Sequence, residues 1–242
     1  MTDDIPSVAK DARFYVIGDI HGRSDLLDQM VEKISADLLQ NPAGNCLTVT
    51  LGDYVDRGPD SRGVLDRLAR NPFPTDYLAL KGNHEGLLED FLEDPSIGSA
   101  WRGIGGLETI YSYGVPVNAL IQGRGFSEAR DLLAAAMPTE HVRFLRSLKI
   151  SFESGNLFFC HAGVRPGVAL DMQKAEDLLW IRSEFLSSTA DFGKLVIHGH
   201  SPTEWPEVRD NRINIDTGAF ATGRLTCLVA EHERPVRFLF TG

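Results

Sequence analysis

The chain has 242 residues and a mass of 26.7 kDa, which is enough for one large domain with a substantial core. Its content of 43% hydrophobic and 24% charged residues is ordinary for a globular protein. Its formal net charge of −10 argues against binding to a phosphate backbone, because proteins that bind one present a basic face. We therefore expect no nucleic-acid partner.

The predicted compartment follows from three features of the sequence. The N-terminal decapeptide MTDDIPSVAK is acidic and lacks the apolar stretch of a secretory signal. No apolar run approaches the roughly 20 residues that cross a bilayer. The three cysteines, Cys46, Cys160 and Cys227, are scattered among apolar neighbours, as expected of buried thiols in a reducing compartment. We expect a cytoplasmic protein with no membrane partner.

Strand-like and helix-like segments alternate in the first part of the chain. Short runs rich in β-formers predict three strands, at Phe14–Ile17, Leu47–Leu51 and Asp76–Leu80. An amphipathic helix is predicted over Ser24–Leu39, with Ser24 as its N-cap. Further helices are predicted through Val64–Leu68 and around Leu87–Leu92. This alternation predicts an α/β fold with helices against the faces of a sheet.

The segment from Pro95 to Leu148 differs from its surroundings, because it contains glycines and two helical stretches but no strand that ends in a motif. We interpret it as an inserted helical cap, termed the helical insertion, within a single domain spanning residues 1–242. Later strands are predicted at Leu157–Cys160, Leu195–Ile197, Ile213–Ile215 and Leu225–Ala230. The last of these are not separated by helices, so the second half predicts antiparallel or mixed pairing.

Five short polar motifs follow predicted strands. They are GDIHG (Gly18–Gly22), GDYVDRG (Gly52–Gly58), GNHE (Gly82–Glu85), HAG from His161, and HGH (His198–His200). Open α/β sheets bind ligands at the carboxyl ends of their strands, where these motifs lie. Residues two apart at a strand end point to the same side, so Asp19 and His21 can face one cation. Asp53 has two carboxylate oxygens and can bridge two cations.

A second cation can be held by the amide oxygen of Asn83 and the imidazoles of His161 and His200. Two cations about 3.5–4 Å apart can share a bridging hydroxide and clamp a phosphoryl group. Oxygen and nitrogen ligands without thiolate suit manganese, with iron and zinc as alternatives. The motifs therefore predict two divalent metal ions at the strand ends.

The same motifs supply groups beside the predicted metals. His84 follows Asn83 directly and can protonate a leaving alkoxide as general acid. Asp56 can orient the His84 imidazole and stabilise its charged form. The planar guanidinium of Arg57 suits two phosphate oxygens.

GDIHG, GDYVDRG, GNHE, HAG and GHS resemble the signature blocks of the metal-dependent phosphoprotein phosphatase family, with the calcineurin-like metallophosphoesterase fold. The resemblance is strongest to the small bacterial and phage-type serine/threonine phosphatases, through LLWIRSE (Leu178–Glu184) and IDTGAF (Ile215–Phe220). It implies a mixed β-sandwich flanked by helices. Carried over by position, it implies two metal-ligand sets: Asp19, His21 and Asp53 for one ion, and Asp53, Asn83, His161 and His200 for the other. It also implies catalysis by His84 with Asp56, and phosphate binding by Arg57 and Arg182, of which Arg182 comes from the resemblance alone.

The expected function is a phosphomonoesterase that uses a metal-bridging hydroxide on phosphoserine and phosphothreonine in proteins, with phosphotyrosine as a further candidate. The alternative is a diadenosine tetraphosphate hydrolase or another small-molecule phosphoesterase on the same site. Such dinucleotide hydrolases usually replace the second Asp of the GDxxDRG block and end the third block in GNHD. Asp56 and Glu85 here favour the first function.

Other classes fit less well. Pro202 stands where nuclease-like relatives carry the last His of GHxH, and Cys160 to Arg165 is one residue too short for the loop of cysteine phosphatases. A pseudo-enzyme that only binds phosphorylated partners is disfavoured by the intact ligands and acid.

For several other residues, a structural role is expected rather than a role in metal binding or catalysis. We expect His198 either to support the metal ligands or simply to be packed, rather than to bind metal itself, and Arg165 either to contact substrate or to brace its loop. Trp101 is expected to pack within the helical insertion. His141 and His232 are expected to be surface or half-buried residues.

Overall fold

The structure is a computed structural model that describes residues 12–232 and 234–242. The N-terminal decapeptide discussed above lies outside the described residues. The β-strands are β1 Ala12–Ile17, β2 Asn45–Thr50, β3 Asp76–Ala79, β4 Ser151–Ser154, β5 Leu157–Cys160, β6 Leu195–His198, β7 Glu207–Val208, β8 Arg212–Asn214, β9 Thr226–Glu231 and β10 Arg237–Phe240. The α-helices are α1 Ser24–Gln40, α2 Ser61–Leu68, α3 Asn83–Glu93, α4 Gly98–Arg102, α5 Gly106–Ser112, α6 Asn118–Ile121, α7 Phe126–Ala136, α8 Thr139–Ser147, α9 Ala175–Trp180, α10 Ser183–Leu186 and α11 Ala219–Thr222.

The strands form two five-stranded mixed sheets. The first has the order β10-β9-β1-β2-β3, in which β1, β2 and β3 are parallel and β9 runs antiparallel to both β1 and β10. The second has the order β4-β5-β6-β8-β7, in which β5, β6 and β8 are parallel and the two edge strands are antiparallel. The predicted mixed α/β fold, with two sheets flanked by helices, is confirmed.

Alternating side chains on the strands build separate cores on the two faces of each sheet. On β1, Phe14 and Val16 join the core between the two sheets, whereas Tyr15 and Ile17 face α1 and α2. On β5, Phe159 faces the inter-sheet core, and Phe158 faces the core beneath α9 and α10. The order of layers is therefore helices, sheet, sheet, helices.

The helical insertion contains five short α-helices, α4 to α8, and a 3-10 turn at Pro95–Ile97, rather than two helical stretches. Four of the five helices have nine residues or fewer, which is too short for clear amphipathic periodicity in the sequence. Buried side chains of the insertion, including Trp101 and Leu133, belong to the same core as those of α1 and α2.

The predicted N-cap of α1 is wrong. The helix begins at Ser24 itself, and the capping residue Arg23 makes no side-chain capping bond. The Ser24 hydroxyl instead donates to Asp60 Oδ2 at 2.5 Å, while Asp60 Oδ1 caps α2 by accepting from Gly63 N–H at 3.0 Å. Ser24 therefore connects the starts of two neighbouring helices.

Within the described part of the chain, no helix is both long enough and apolar enough to span a membrane.

Candidate active site

The predicted motifs lie at or just beyond the carboxyl ends of β1, β2, β3, β5 and β6, and the loops that carry them pack tightly. Gly52 has a φ of +104°, and a Cβ atom there would lie 2.6 Å from Gly82 Cα. Glycine at this position therefore allows the second and third motifs to touch.

Backbone strain is concentrated in these motifs. Among the described residues, six non-glycine residues have positive φ, and five of them are in the motifs: His21 (44°), Asp53 (53°), Asp56 (71°), Arg57 (65°) and His200 (66°). Left-handed φ is unfavourable for residues with a side chain, and such strain is commonly retained at functional sites. The loops are held in these conformations by their surroundings.

One part of the cluster brings together Asp53, Asn83, His161 and His200, all of them buried. Asn83 Oδ1 lies 2.9 Å from both His161 Nε2 and His200 Nδ1, and these two nitrogens are 3.1 Å apart. His161 Nε2 is also 3.3 Å from Asp53 Oδ1. Oxygen and nitrogen atoms thus converge on one point, as metal ligands do.

The other part of the cluster places His21 and Asp19 beside the same Asp53. His21 Nε2 lies 3.4 Å from Asp53 Oδ2, so the two oxygens of Asp53 face the two halves of the cluster. Asp19 accepts the backbone N–H of His200 at 3.2 Å. The structure therefore brings all six predicted metal ligands together.

The histidines are suited to metal ligation. His21 Nδ1 lies 2.8 Å from Val55 O, so this nitrogen carries the proton and Nε2 keeps its lone pair. That buried Nε2 atom has no hydrogen-bond partner, which fits a ligand position facing a cation. Burial lowers the pKa of His21 to about 3 and that of His200 to about 2, so both imidazoles are neutral. A neutral imidazole is the form that binds metal.

The cluster holds several buried carboxyl groups, whose negative charge favours the binding of a proton or a cation. Burial and the neighbouring Asp216 carboxylate raise the pKa of Asp19 well above its ordinary value. Burial disfavours a charged His161, but the Asp53 carboxylate outweighs it and raises the His161 pKa to about 9. A divalent cation would supply the missing positive charge. The residues present therefore fit a metal-binding site.

His84 and Asp56 form a buried pair beside the cluster. His84 Nδ1 lies 2.7 Å from Asp56 Oδ2, and His84 Nε2 lies 3.1 Å from the Arg57 guanidinium. Burial would lower the pKa of His84, but the Asp53 and Asp56 carboxylates outweigh it and raise this pKa. The Arg57 guanidinium also stacks over Phe220, with its central carbon 5.1 Å from the ring centroid.

Two residues of the helical insertion bind Asp56, and sequence reasoning missed this role. Trp101 Nε1 donates to Asp56 Oδ2 at 2.7 Å, and Thr109 Oγ1 donates to Asp56 Oδ1 at 2.6 Å. Trp101 also packs on Phe91 of α3, so its packing extends beyond the helical insertion. Nothing in the spacing of these residues along the sequence indicates this contact.

Glu85, the last residue of GNHE, braces the second motif. Its Oε1 accepts from the N–H groups of Tyr54 and Val55, and its Oε2 accepts from those of Asp53 and Gly82. Burial raises the pKa of Glu85 to about 7, and the N–H donors oppose this shift. Glu85 therefore fixes the backbone from which the Asp53 side chain projects.

We expect Glu85→Gln to lower the free energy of unfolding by about 2–4 kcal/mol, because the new amide would point a donor at backbone donors. Glu89→Gln is the matched control on α3, since Glu89 pairs with Lys81 at the partly exposed surface, and it should cost under about 1 kcal/mol. Urea denaturation measures both changes. Equal costs would contradict the bracing role.

The remaining predicted residues lie in different settings. Arg182 is exposed at the start of α10, and its charge adds to the effect of burial in lowering the pKa of His200. Arg165 pairs with Asp177 and Glu184, so it braces its loop. His198 is buried against Phe185, and burial lowers its pKa to about 3.

The prediction for His141 is wrong, because this residue is fully buried. Its two ring nitrogens lie 2.8 Å from the Tyr113 hydroxyl and 2.9 Å from Asp66 Oδ1, and these partners make burial tolerable.

Known proteins resemble this chain over most of its length. "Serine/threonine-protein phosphatase 2" of Salmonella typhimurium is 28% identical over 221 residues, which cover 88% of this chain and 90% of the relative. "Bis(5'-nucleosyl)-tetraphosphatase PrpE [asymmetrical]" of Halalkalibacterium halodurans is 26% identical over 237 residues, 89% of each chain. The fold resembles the cold-active protein-tyrosine phosphatase of a psychrophile Shewanella species, with a TM-score of 0.56, 16% identity and coverage of 99% of this chain and 85% of the other.

The sequence profile of the family described as "Calcineurin-like phosphoesterase" matches residues 12–225. This match extends from β1 to just before β9 and includes every motif of the buried cluster. The chain therefore belongs to the calcineurin-like phosphoesterase family and is a metal-dependent phosphatase.

Proposed function

We propose that this chain hydrolyses phosphoserine and phosphothreonine esters in proteins, with phosphotyrosine as a further substrate. The observation that carries the proposal is the buried His84–Asp56 pair, joined at 2.7 Å beside the metal-binding cluster. Serine and threonine alkoxides are poor leaving groups, so their release needs a proton donor more than that of most phosphoesters. The pair supplies such a donor.

We propose that Asp19, His21 and Asp53 hold one divalent cation and that Asp53, Asn83, His161 and His200 hold a second. Manganese suits this set of oxygen and nitrogen donors, with iron and zinc as alternatives. When bound, the two cations would lower the pKa of a water molecule so that it attacks phosphorus at neutral pH. Nδ1 of His21 and Nδ1 of His161 donate to backbone carbonyls and so keep their Nε2 atoms directed into the cluster.

His84 is proposed as the general acid. Both oxygens of Asp56 accept hydrogen bonds, so the proton between His84 Nδ1 and Asp56 Oδ2 belongs to Nδ1. Nε2 of His84 is therefore the atom available for the leaving group. The Asp56 carboxylate stabilises the charged imidazole that has taken up the second proton.

Arg57 and Arg182 are proposed to bind the phosphate oxygens. A guanidinium only donates, so in the absence of substrate Arg57 donates to His84 Nε2 at 3.1 Å. Movement of Arg57 onto a phosphate would free that nitrogen to take up a proton from solvent, which it can then donate to the leaving alkoxide. Arg182 supplies a second positive charge, whose field reaches His200 in the cluster.

We also propose that residues 1–242 act as one domain in the cytoplasm. The three cysteines are free, and two of them, Cys160 and Cys227, are buried, which supports a reducing setting. Cys46 is partly exposed, contrary to the expectation that all three are buried.

The second candidate is hydrolysis of a dinucleoside tetraphosphate, because the 26% identity to the PrpE relative is close to the 28% identity to the protein phosphatase. Its leaving group is a nucleotide phosphate, which departs with less need for protonation than an alkoxide. The two candidates thus make different demands on His84.

A side-by-side measurement of kcat/KM in Mn²⁺ tests the proposal, with phosphoserine, phosphothreonine and phosphotyrosine peptides and diadenosine tetraphosphate as substrates. A higher value for the phosphoserine and phosphothreonine peptides is expected. A higher value for the dinucleotide would replace the proposal with the second candidate.

A further inference from the structure

The turn that carries Asp56 and Arg57 is held by one segment of the helical insertion. Besides the two bonds to the Asp56 carboxylate, Asp56 N–H donates to Thr109 Oγ1 at 2.9 Å. The neighbouring Arg57 N–H donates to Gly105 O at 3.1 Å. Gly105 has a φ of +109°, and a Cβ atom there would lie 2.6 Å from Arg57 N. The insertion therefore approaches both residues of a turn whose own φ values are positive.

The bonds to Asp56 fix the direction of its carboxylate. The indole N–H of Trp101 can only donate, so Asp56 Oδ2 must accept from it. The same oxygen accepts from His84 Nδ1, while Oδ1 accepts from Thr109. Among the residues that the structure describes, two of the three side-chain donors to the Asp56 carboxylate thus come from the insertion.

Because Asp56 is buried, the hydrogen bonds from Trp101 and Thr109 matter for the geometry of the His84–Asp56 pair. Asp56 is fully buried, and a buried carboxylate is costly unless donors surround it. With one of the two insertion donors removed, the carboxylate can rotate about its side chain toward other donors. Such a rotation would tilt His84, whose Nδ1 follows Asp56 Oδ2, and would move Nε2 away from the leaving group.

We propose that Trp101 and Thr109 are positioning residues that act through Asp56 to aim the His84 imidazole at the leaving group. The proposal rests on the proposed function, because it requires His84 to be the general acid. It gives the helical insertion a part in the chemical step, in addition to any contact with substrate.

Three variants test the proposal. Trp101→Phe keeps a large aromatic ring against Phe91 but removes the N–H, and Thr109→Val keeps the side-chain size but removes the hydroxyl. Thr109→Ser is the matched control, because it keeps the hydroxyl. Each protein, saturated with Mn²⁺, is assayed on a phosphoserine peptide and on p-nitrophenyl phosphate, whose phenolate leaves without protonation.

We expect kcat on the peptide to fall about 10- to 100-fold in Trp101→Phe and Thr109→Val, the range typical of lost supporting hydrogen bonds. KM on the peptide and kcat on p-nitrophenyl phosphate should change by less than about threefold, since neither depends on leaving-group protonation. Thr109→Ser should resemble the unmodified protein on both substrates. In a His84→Asn background, Trp101→Phe should cause no further loss, because the two residues act as one unit.

Equal losses on the two substrates would overturn the proposal, because they would indicate a merely structural role. So would a loss in Thr109→Ser as large as that in Thr109→Val. If Trp101→Phe fails to fold, the comparison of Thr109→Val with Thr109→Ser decides the proposal by itself.

If His84→Asn itself loses no more activity on the peptide than on p-nitrophenyl phosphate, the general-acid part of the proposed function fails. If only His84→Asn distinguishes the substrates, the positioning proposal alone fails.

Discussion

Asp53→Asn is expected to remove most of the bound metal and reduce phosphatase activity to background. Asp53 Oδ2 lies 3.4 Å from His21 Nε2, and its other oxygen, Oδ1, lies 3.3 Å from His161 Nε2. The amide has nearly the same shape, so the change removes the charge and one potential ligand oxygen while disturbing the packing little. Metal content after dialysis against Mn²⁺ and kcat on a phosphoserine peptide measure the effect.

Asp28→Asn serves as the control, because Asp28 is exposed on α1 and pairs with Arg67 away from the cluster. It should leave metal content and activity unchanged. Normal activity in Asp53→Asn with bound metal would contradict the bridging role of Asp53.

His84→Asn is expected to retain metal and to slow hydrolysis of the phosphoserine peptide by about 10²–10⁴-fold, the usual contribution of a general acid. Hydrolysis of p-nitrophenyl phosphate should slow much less, because its leaving group needs little protonation. The ratio of kcat values on the two substrates measures the effect directly.

Metal content is the second readout for this variant, because His84 also lies where it could serve as a metal ligand. His84, His21 and Asp53 also place potential ligand atoms within 4.8 Å of one another. Loss of metal in His84→Asn would make His84 a ligand rather than the acid. The bond from its Nδ1 to Asp56 and the position of its Nε2 beside Arg57 favour the acid.

The meeting of the predicted ligands could be foreseen from the sequence because each lies at or just beyond the end of an apolar strand. The motifs with Asp19, Asp53 and Asn83 follow β1, β2 and β3, which are parallel neighbours, so their ends share one edge. His161 and His200 follow β5 and β6, which are also parallel neighbours in the second sheet. The apolar runs in the sequence predict where the strands lie, and the motifs predict that polar side chains collect at the carboxyl ends of those strands.

The support of the site could not be foreseen in the same way. Trp101 and Thr109 contact Asp56 across 45 and 53 residues of sequence, and nothing in their spacing shows this. The left-handed backbone conformation at Asp53 and Asp56 could not be predicted either, because neither position is a glycine, the residue type that usually indicates a positive φ. Such contacts depend on how the helical insertion folds back over the sheet.

Short and polar elements also escaped prediction. Strand β4 has the sequence SFES, which lacks an apolar run, and its antiparallel pairing with β5 makes it a strand. Strand β10, RFLF, lies at the sheet edge and is only half-buried, so its pairing with β9 had to come from the structure. Tertiary contacts rather than local propensity fix these edges.

The most direct test of the central claim is the electron paramagnetic resonance spectrum of the Mn²⁺-loaded protein, recorded with its metal content per chain. Two ions that share the Asp53 carboxylate should give two Mn²⁺ per chain and a spin-coupled spectrum. One Mn²⁺ per chain, or two ions with uncoupled signals, would contradict the dinuclear centre.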